Sequence, residues 1–250
     1  MNEPKLNPNR LYQLPFYQTN EVVIANTNQE IIRTYQEFEF NSNGVKKKVA
    51  PDAIKDREHL EQVKDYFLSQ GKYRDYAIFV FGINTALRCS DILALNISNV
   101  LTEDGVIADR LKVIEKKTAR FGRTKEVILN QATKEALYLY LTYLGNENIY
   151  YLEPNQPLFR SNKISSKTHE YRLGRPAYYE ILRSAANAVN LTEHIGTHSM
   201  RKTFGYNCFT TTQSLELTSK AIGHKSAATT LDYIGITNQD ISNVILNLNL

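Results

Sequence analysis

Two short runs rich in β-branched and aliphatic residues interrupt a chain whose other patterned segments are helical. The runs are RLKVIEKK at 110–117 and RTKEVILN at 123–130, and TARFG joins them. Runs of this length and composition, with a glycine between them, are typical of a β-hairpin. We therefore predict an α+β fold, mainly α with one small antiparallel β-sheet, in which the hairpin has a basic tip.

Capping and stop residues divide much of the remaining chain into helices. Leu60, Val63 and Phe67 recur at helical spacing between a polar start and a glycine stop, and later segments follow the same pattern. Predicted starts are Asp56, Ser90, Thr133, Gly174 with Pro176, Ser214 and Ser226, and predicted stops are Gly71, Gly145 and Gly223. This division places Arg88 in a turn between two helices and Tyr233 on the helix that begins at Ser226.

Apolar periodicity separates the chain into three parts. Residues 1–48 have too little periodicity for a core of their own, so we expect an arm or linker. Residues 49–237 form the main domain, and 238–250 form an amphipathic helix. The apolar face of that helix carries Ile241, Val244, Ile245 and Leu248. Such a face needs a partner, which is either the core of its own domain or a neighbouring protomer.

Composition argues against a membrane protein and against a disulfide scaffold. The chain is 42% hydrophobic but has no apolar run of membrane-spanning length, and MNEPKLNPNR lacks the hydrophobic segment of a secretory signal. We expect a cytoplasmic protein with no membrane partner. Cys89 and Cys208 form no metal-ligand spacing, and two thiols in a chain of this size suit a reducing compartment, so no disulfide is expected.

The distribution of charge is more informative than the net charge of +4. Seven basic residues between Arg110 and Lys125 face Glu115 alone, and six between Arg160 and Arg183 face two glutamates. Clusters of this kind suit a polyanion such as nucleic acid. A solvated basic face fits equally well, so charge alone leaves both interpretations open.

Four motifs in register carry the most specific signal. They are INTALRCSDILAL with Arg88, GTHSMRKTFGYN with His198 and Arg201, IGHKS with His224, and Tyr233 nine residues beyond that histidine. In this order and spacing, residues 50–240 resemble the catalytic domain of the tyrosine recombinases, also called phage integrases. The resemblance implies the catalytic-domain fold of that family. It also makes 1–48 too short for the helical core-binding domain that precedes the catalytic domain in many members.

Three positions depart from the residues that the family often has. Met200 and Lys202 stand where Leu and His are common, and Ile222 replaces a usual Leu. These departures leave the candidate catalytic residue types intact.

The resemblance implies a site-specific recombinase for integration, excision or inversion, with Arg88, Lys117, His198, Arg201, His224 and Tyr233 as catalytic residues. Arginine forks match phosphate oxygens in pairs, which supports roles for Arg88 and Arg201. His198 and His224 would donate hydrogen bonds or exchange a proton, with His198 in the closer proton-handling role. Tyr233 would attack phosphorus to form a 3′-phosphotyrosyl link, which conserves the bond energy without ATP. Taken singly, each residue also fits a salt bridge or a core position.

Several lysines of the hairpin compete for the role of general acid. EKKTA places Lys117 before Thr118, as the family places its catalytic lysine, whereas Lys116 would point to the opposite face of the strand. Lys125 on the return strand is the alternative. Contacts to the DNA backbone are expected from Lys116, Arg120, Arg123, Lys125, Arg175 and Lys202. Asp91 is expected to cap its helix and orient neighbouring donors.

We expect neither a metal nor another cofactor. The sequence has no carboxylate cluster typical of a two-metal nuclease and no P-loop, and His194 and His198 lack the further ligands that zinc would need. The expected partners are double-stranded DNA with a specific recombination site, further copies of the chain in a tetramer, and, where the site requires it, an accessory DNA-bending protein. A type IB topoisomerase-like enzyme and a catalytically silent DNA-binding regulator are the alternatives.

Overall fold

The computed structural model describes most of the chain from residue 50 to residue 236. The described ranges are 38–40, 46–48, 50–115, 124–146, 152–164, 171–224, 226–236, 242 and 245–248. All of them lie within one structural unit, 37–250. No helix in these ranges is both long and apolar enough to cross a bilayer.

Helices dominate the described ranges. They are α1 (Arg57–Ser69), α2 (Tyr73–Thr85), α3 (Cys89–Ile92), α4 (Gln131–Leu144), α5 (Arg175–Ala188), α6 (Ser199–Thr212), α7 (Leu215–Ile222) and α8 (Ala227–Ile234). Two antiparallel strand pairs accompany them: β1 (Phe38–Phe40) with β2 (Lys46–Lys48), and β3 (Arg110–Val113) with β4 (Lys125–Ile128). The predicted mainly helical fold with a small antiparallel sheet is confirmed. The pair β1–β2 was not predicted, because a run of three lysines carries no strand signal.

Most predicted helix starts are confirmed, and two are wrong. Helix α3 begins after Arg88 rather than at Ser90, and Asn130 rather than Thr133 caps α4. The Asn130 side chain accepts a hydrogen bond from the Thr133 N–H at 3.0 Å. Both residue types can cap a helix, and the extended backbone at Asn130 decides between them.

The core is built around α2. Its residues 77–81 are all at most 1% exposed, so this helix is enclosed on all sides rather than on one face. It contacts α1, α4 and α6. Phe81 meets Phe159 edge to face, with ring centroids 6.4 Å apart, and Phe159 stacks on Tyr140 at 5.8 Å. This packing fixes the end of α2, after which Arg88 follows.

The β3–β4 hairpin turns one face inward. Leu111 pairs with Val127, and all three of Leu111, Val113 and Val127 are buried. Because side chains alternate along a strand, Glu115 belongs to the same face as Leu111 and Val113. The hairpin therefore points an acidic side chain towards the helical core.

The C-terminal segment is described only in part. Residues 245–247 are helical, whereas Ile241 and Val244 of the predicted apolar face lie outside the described residues. The side chains of Ile245 and Leu248 are 66% and 55% exposed. The partner of this face stays a prediction.

Candidate active site

Arg88 stands in the predicted turn, at the N-cap of α3. Ala86 ends α2 in the left-handed conformation, with φ 51°, and Leu87 and Cys89 on either side of the arginine are buried. Buried neighbours anchor the backbone, so the side chain leaves the core from a fixed point. Its Nη1 atom lies 3.1 Å from a Glu115 carboxylate oxygen and 3.8 Å from one of the buried Asp91. The N-cap position belongs to Arg88, and the roles predicted for Asp91 stay predictions.

Arg201, in the first turn of α6, connects three parts of the site. Its side chain is only 4% exposed, and Nη1 lies 3.7 Å from Glu115. Nη1 donates to the Ala86 carbonyl at 2.6 Å, and Nη2 donates to the Ile222 carbonyl at 2.5 Å. Those carbonyls lie two residues before Arg88 and two residues before His224. One buried guanidinium thus ties together the segments that carry two other predicted site residues.

Glu115 is the site residue that the sequence analysis missed. It entered the analysis only as the acidic exception in a basic run, yet its carboxylate lies within 4 Å of both Arg88 and Arg201, at 3.1 and 3.7 Å. Its side chain is 14% exposed. The sequence did contain a signal for this role. Glu115 stands two and four positions after Val113 and Leu111, whose side chains point inward from β3, so its side chain is expected on the same face.

His198 precedes α6 at its N-cap. Although the side chain reaches the surface, partial desolvation lowers the pKa of its imidazole, and the positive charges of Arg175, Arg201, Arg88 and Lys202 lower it further. The neutral ring is therefore favoured at neutral pH, and a neutral imidazole can accept a proton. Arg175 and Lys202 lie near this histidine, although they were predicted as DNA contacts.

His224 is positioned by the end of α7. Gly223 takes a left-handed conformation, with φ 79°, and the His224 N–H donates to the Ser219 carbonyl at 2.8 Å, which closes the helix as a Schellman motif. The His224 ring meets the Tyr233 ring at 86°, with centroids 4.7 Å apart. The two residues that stand nine positions apart in sequence are therefore direct neighbours.

Tyr233 lies on α8 among cations. The Lys202 Nζ atom is 5.7 Å from the centre of its ring. Burial raises the pKa of the Tyr233 hydroxyl, while Arg201 and Arg88 act in the opposite direction. The Tyr233 hydroxyl therefore keeps its proton at neutral pH, and a proton acceptor has to remove that proton for the oxygen to attack as a nucleophile.

Helix α8 packs against α6 of the same chain. Ile234 is fully buried, and a Cβ added to Gly205 of α6 would lie 2.7 Å from Cδ1 of Ile222 and 2.9 Å from Cγ2 of Ile234. Ser226 caps α8 by accepting from the Thr229 N–H at 3.2 Å. Residues 226–230 thus form the capped start of this helix, in which Thr230 is buried.

Lys125 of β4 reaches the same site. Its Nζ atom donates to the Ala221 carbonyl at 3.4 Å. Burial lowers the pKa of Lys125; the charge of Glu115 raises it, and the charges of Arg201 and Arg88 lower it. A lysine of this kind gives up its proton more readily than an exposed one, as a general acid must.

Four predicted residues lie outside the described residues: Lys116, Lys117, Arg120 and Arg123. Their roles stay predictions. The structure brings together Arg88, Lys125, His198, Arg201, His224 and Tyr233. Within the described ranges, no group of three or more His, Cys, Asp or Glu side chains could hold a metal ion. The arrangement is a cationic pocket beside a phenol, which suits an anionic phosphodiester.

Comparison with known proteins places this geometry in a family. Residues 55–240 match the phage integrase family. The chain is also 34% identical over 183 residues to the probable integrase/recombinase YoeC of Bacillus subtilis (strain 168), a match that covers 73% of this chain and 88% of YoeC.

Solved structures give the same fold. The chain resembles XerA recombinase with a TM-score of 0.59 and 19% identity, covering 80% of this chain and 64% of XerA. It resembles XerH recombinase in a post-cleavage complex with its difH substrate with a TM-score of 0.56 and 19% identity, covering 78% and 52% of the two chains. The predicted catalytic-domain fold is confirmed, and the chain matches only about half to two thirds of these longer proteins.

Proposed function

The chain belongs to the phage integrase family, and from that membership we propose that it is a site-specific DNA recombinase that cleaves and rejoins DNA through Tyr233. One observation supports the proposal above the others. The buried Arg201 guanidinium binds the backbone beside Arg88 and the backbone beside His224, whose ring contacts Tyr233. The groups that we propose to bind phosphate and the proposed nucleophile come from separate segments, and these contacts hold those segments together.

In the proposed cleavage step, the Tyr233 oxygen attacks the phosphorus of the scissile phosphodiester. The phenolic proton passes to His198, whose lowered pKa keeps its ring neutral and able to accept it. Arg88 and Arg201 stabilise the negative charge that develops on the non-bridging oxygens. The bond from phosphorus to the 5′-oxygen breaks, and a 3′-phosphotyrosyl ester forms.

The leaving 5′-oxygen needs a proton, which we assign to Lys117, with Lys125 as the alternative. Attack by another strand's 5′-hydroxyl on the ester then reverses these steps and joins the strands. The ester conserves the bond energy and the arginines supply positive charge, so the scheme uses neither ATP nor a metal ion.

The proposed substrate is double-stranded DNA with a specific recombination site, bound by a tetramer of the chain in the cytoplasm. Lys116, Arg120, Arg123, Lys125, Arg175 and Lys202 would contact its phosphates. The XerH structure, a recombinase bound to its own DNA substrate, supports DNA as the partner. An accessory DNA-bending protein completes the assembly where the site demands it.

A suicide substrate tests the chemistry. DNA from beside the gene, nicked so that the cleaved end is lost, should trap the chain as a covalent adduct on a denaturing gel. Tyr233→Phe should bind the same DNA but form no adduct, because only the hydroxyl is removed. A Phe variant that still becomes linked to DNA would assign the nucleophile to another residue.

DNA that carries two copies of one recombination site tests whether the chain is a recombinase. A recombinase should form Holliday junctions from two copies of one site. Relaxation of supercoils without junctions would instead indicate a type IB topoisomerase-like enzyme, and binding without any adduct would indicate a regulator.

A further inference from the structure

A buried hydroxyl lies between His224 and the helix that carries Tyr233. The Thr230 side chain is fully buried, and its Oγ1 atom lies 3.2 Å from Nδ1 of His224. The same oxygen lies 2.8 Å from Oγ of Ser219 and 3.1 Å from the Ser226 carbonyl. Thr230 thus contacts Ser219 of α7, His224 two residues beyond the end of α7, and Ser226 at the start of its own helix α8.

The hydroxyl protons of Ser219 and Thr230 indicate which nitrogen of the His224 imidazole carries its proton. Ser219 has one hydroxyl proton and lies 2.7 Å from the Leu215 carbonyl, and Thr230 has one hydroxyl proton. Two protons therefore serve three contacts between oxygens, namely Ser219 with Leu215, Ser219 with Thr230, and Thr230 with Ser226. If Thr230 instead donated its proton to His224, only the Ser219 proton would remain for these three contacts between oxygens. The number of hydrogen bonds is greatest when Nδ1 of His224 carries a proton and donates it to Thr230.

We propose that Thr230 is a positioning residue that holds His224 with its proton on Nδ1, so that Nε2 is the ring atom that acts on the phosphodiester. This inference rests on the proposed function and adds to it that Nε2 of His224 exchanges a proton during cleavage, since a neutral ring protonated on Nδ1 has a lone pair on Nε2. A hydrogen bond at one imidazole nitrogen commonly fixes the role of the other.

Thr230 also couples the two catalytic groups. It precedes Tyr233 by three residues on α8, so the two side chains lie on the same side of that helix. With α8 packed against α6, the Thr230 hydroxyl lies at His224 while the Tyr233 ring contacts the ring of the same histidine. One packed position of α8 therefore places both the phenol and the hydroxyl that positions His224.

Substitutions at Thr230 separate this role from simple packing. Thr230→Val keeps the shape and removes the hydroxyl, and Thr230→Ser keeps the hydroxyl and removes a methyl group. Thr229→Val is the matched control, since Thr229 is the adjacent threonine of α8 but is exposed. Thr230→Ala replaces the valine variant if the latter does not fold.

The first measurement is the ¹⁵N spectrum of the histidine rings in the DNA-free protein. The signals of His224 are assigned by their loss in His224→Gln. The parent, Thr230→Ser and Thr229→Val should show a protonated Nδ1. Thr230→Val should shift towards the mixture of tautomers of free imidazole. An unchanged His224 signature in Thr230→Val would overturn the proposal.

The second measurement is single-turnover adduct formation at saturating DNA. Thr230→Val should lose roughly 10- to 100-fold in rate, with DNA affinity within about 2-fold of the parent. The loss is smaller than the roughly 10²- to 10⁴-fold that a general acid or base typically contributes, because the imidazole itself remains. Thr230→Ser should recover most of the rate. A serine variant as slow as the valine variant would assign Thr230 to packing alone. A parent that forms no adduct would overturn the proposed function, whereas the ¹⁵N spectra would still report on Thr230.

Discussion

The Arg88 guanidinium lies 3.1 Å from the Glu115 carboxylate, and the same carboxylate lies 3.7 Å from Arg201. Without DNA, the two arginines proposed to bind the scissile phosphate are therefore already paired with an anion. The carboxylate offsets the repulsion between two guanidinium groups in a largely dehydrated pocket. An entering phosphate has to compete with Glu115 for the same donors.

Glu115→Gln should weaken the fold and strengthen anion binding. Loss of the charge leaves Arg88 and Arg201 less well compensated, so the free energy of unfolding should fall by about 1–3 kcal/mol. Inorganic phosphate should then raise the melting temperature of the variant more than that of the parent, because the competitor is gone.

Glu126→Gln is the control for this prediction, since Glu126 belongs to the same hairpin but forms an exposed pair with Arg110. Glu126→Gln should change the free energy of unfolding by no more than about 0.5 kcal/mol. It should leave the effect of phosphate on the melting temperature as it is in the parent. A phosphate response that is equal in all three proteins would contradict competition at Glu115.

The contrast between Glu115 and the motif residues shows what the sequence could reveal. Arg88, Arg201 and Tyr233 stand in local patterns whose residue types already point to phosphate chemistry. Glu115 and Thr230 act through partners far along the chain or on another element, and their residue types are common on any surface. Their roles depend on tertiary contacts, which no local pattern specifies.

Cap positions show the same limit at the level of the backbone. Asn130 and Thr133 are both good caps, and Asn130 accepts from the Thr133 N–H. Sequence predicts a helix here, but only the path of the chain arriving from β4 decides which residue begins it. The pair β1–β2 had no recognisable pattern, because Lys46–Lys48 contains only charged residues.

The pH dependence of cleavage should identify His198 as a proton acceptor. Its pKa is lowered from the ordinary value near 6.5, so the neutral form persists into mildly acidic solution. The rate of adduct formation should therefore fall on the acid side of pH 6.5, as the pH drops through the lowered pKa. Arg175→Gln removes a nearby positive charge, raises the pKa, and should move this acid limb to higher pH.

Single-turnover rates between pH 5 and pH 8, at saturating DNA, measure the effect apart from DNA affinity. Arg183→Gln is the control, because Arg183 lies on the same helix but pairs with Glu180 at 2.7 Å. An acid limb that stays in place in Arg175→Gln would remove His198 from this role.

Gly205→Ala should displace the helix of the nucleophile. The added methyl group would lie 2.7 Å from Cδ1 of Ile222 and 2.9 Å from Cγ2 of Ile234, both buried. Such overpacking costs about 1–3 kcal/mol, which exceeds the gain of roughly 1 kcal/mol from alanine in a helix. Thermal unfolding should show a lower melting temperature, and cleavage should fall more than DNA binding.

Ile222→Val removes the closest atom, Cδ1, and provides the matched test. Added to Gly205→Ala, it should recover part of the stability, so the two changes are not additive. Strict additivity would show that the methyl group does not meet Ile222.

A substrate with sulfur in place of the bridging 5′-oxygen should identify the general acid. The thiolate leaves without a proton, so this substrate should rescue Lys117→Ala far more than Arg201→Ala. Adduct formation on matched oxygen and sulfur substrates measures the rescue. Preferential rescue of Lys125→Ala would transfer the role to the lysine that lies beside Ala221. Equal rescue of all variants would assign the role to neither lysine.

A chain that ends at Ile236 should fold and bind one site, but lose cooperative binding to paired sites and most recombination. The end of α8 is complete at that point, since the Ile236 N–H donates to the Leu231 carbonyl at 3.1 Å. Beyond it, Ile245, Leu246 and Leu248 are 66%, 75% and 55% exposed, so they add little to the stability of their own domain. Apolar side chains left exposed in one copy are available to a second copy on the neighbouring site. Thermal unfolding and gel shifts on single and paired sites measure both effects, and a truncated chain that unfolds would place the segment in its own core instead.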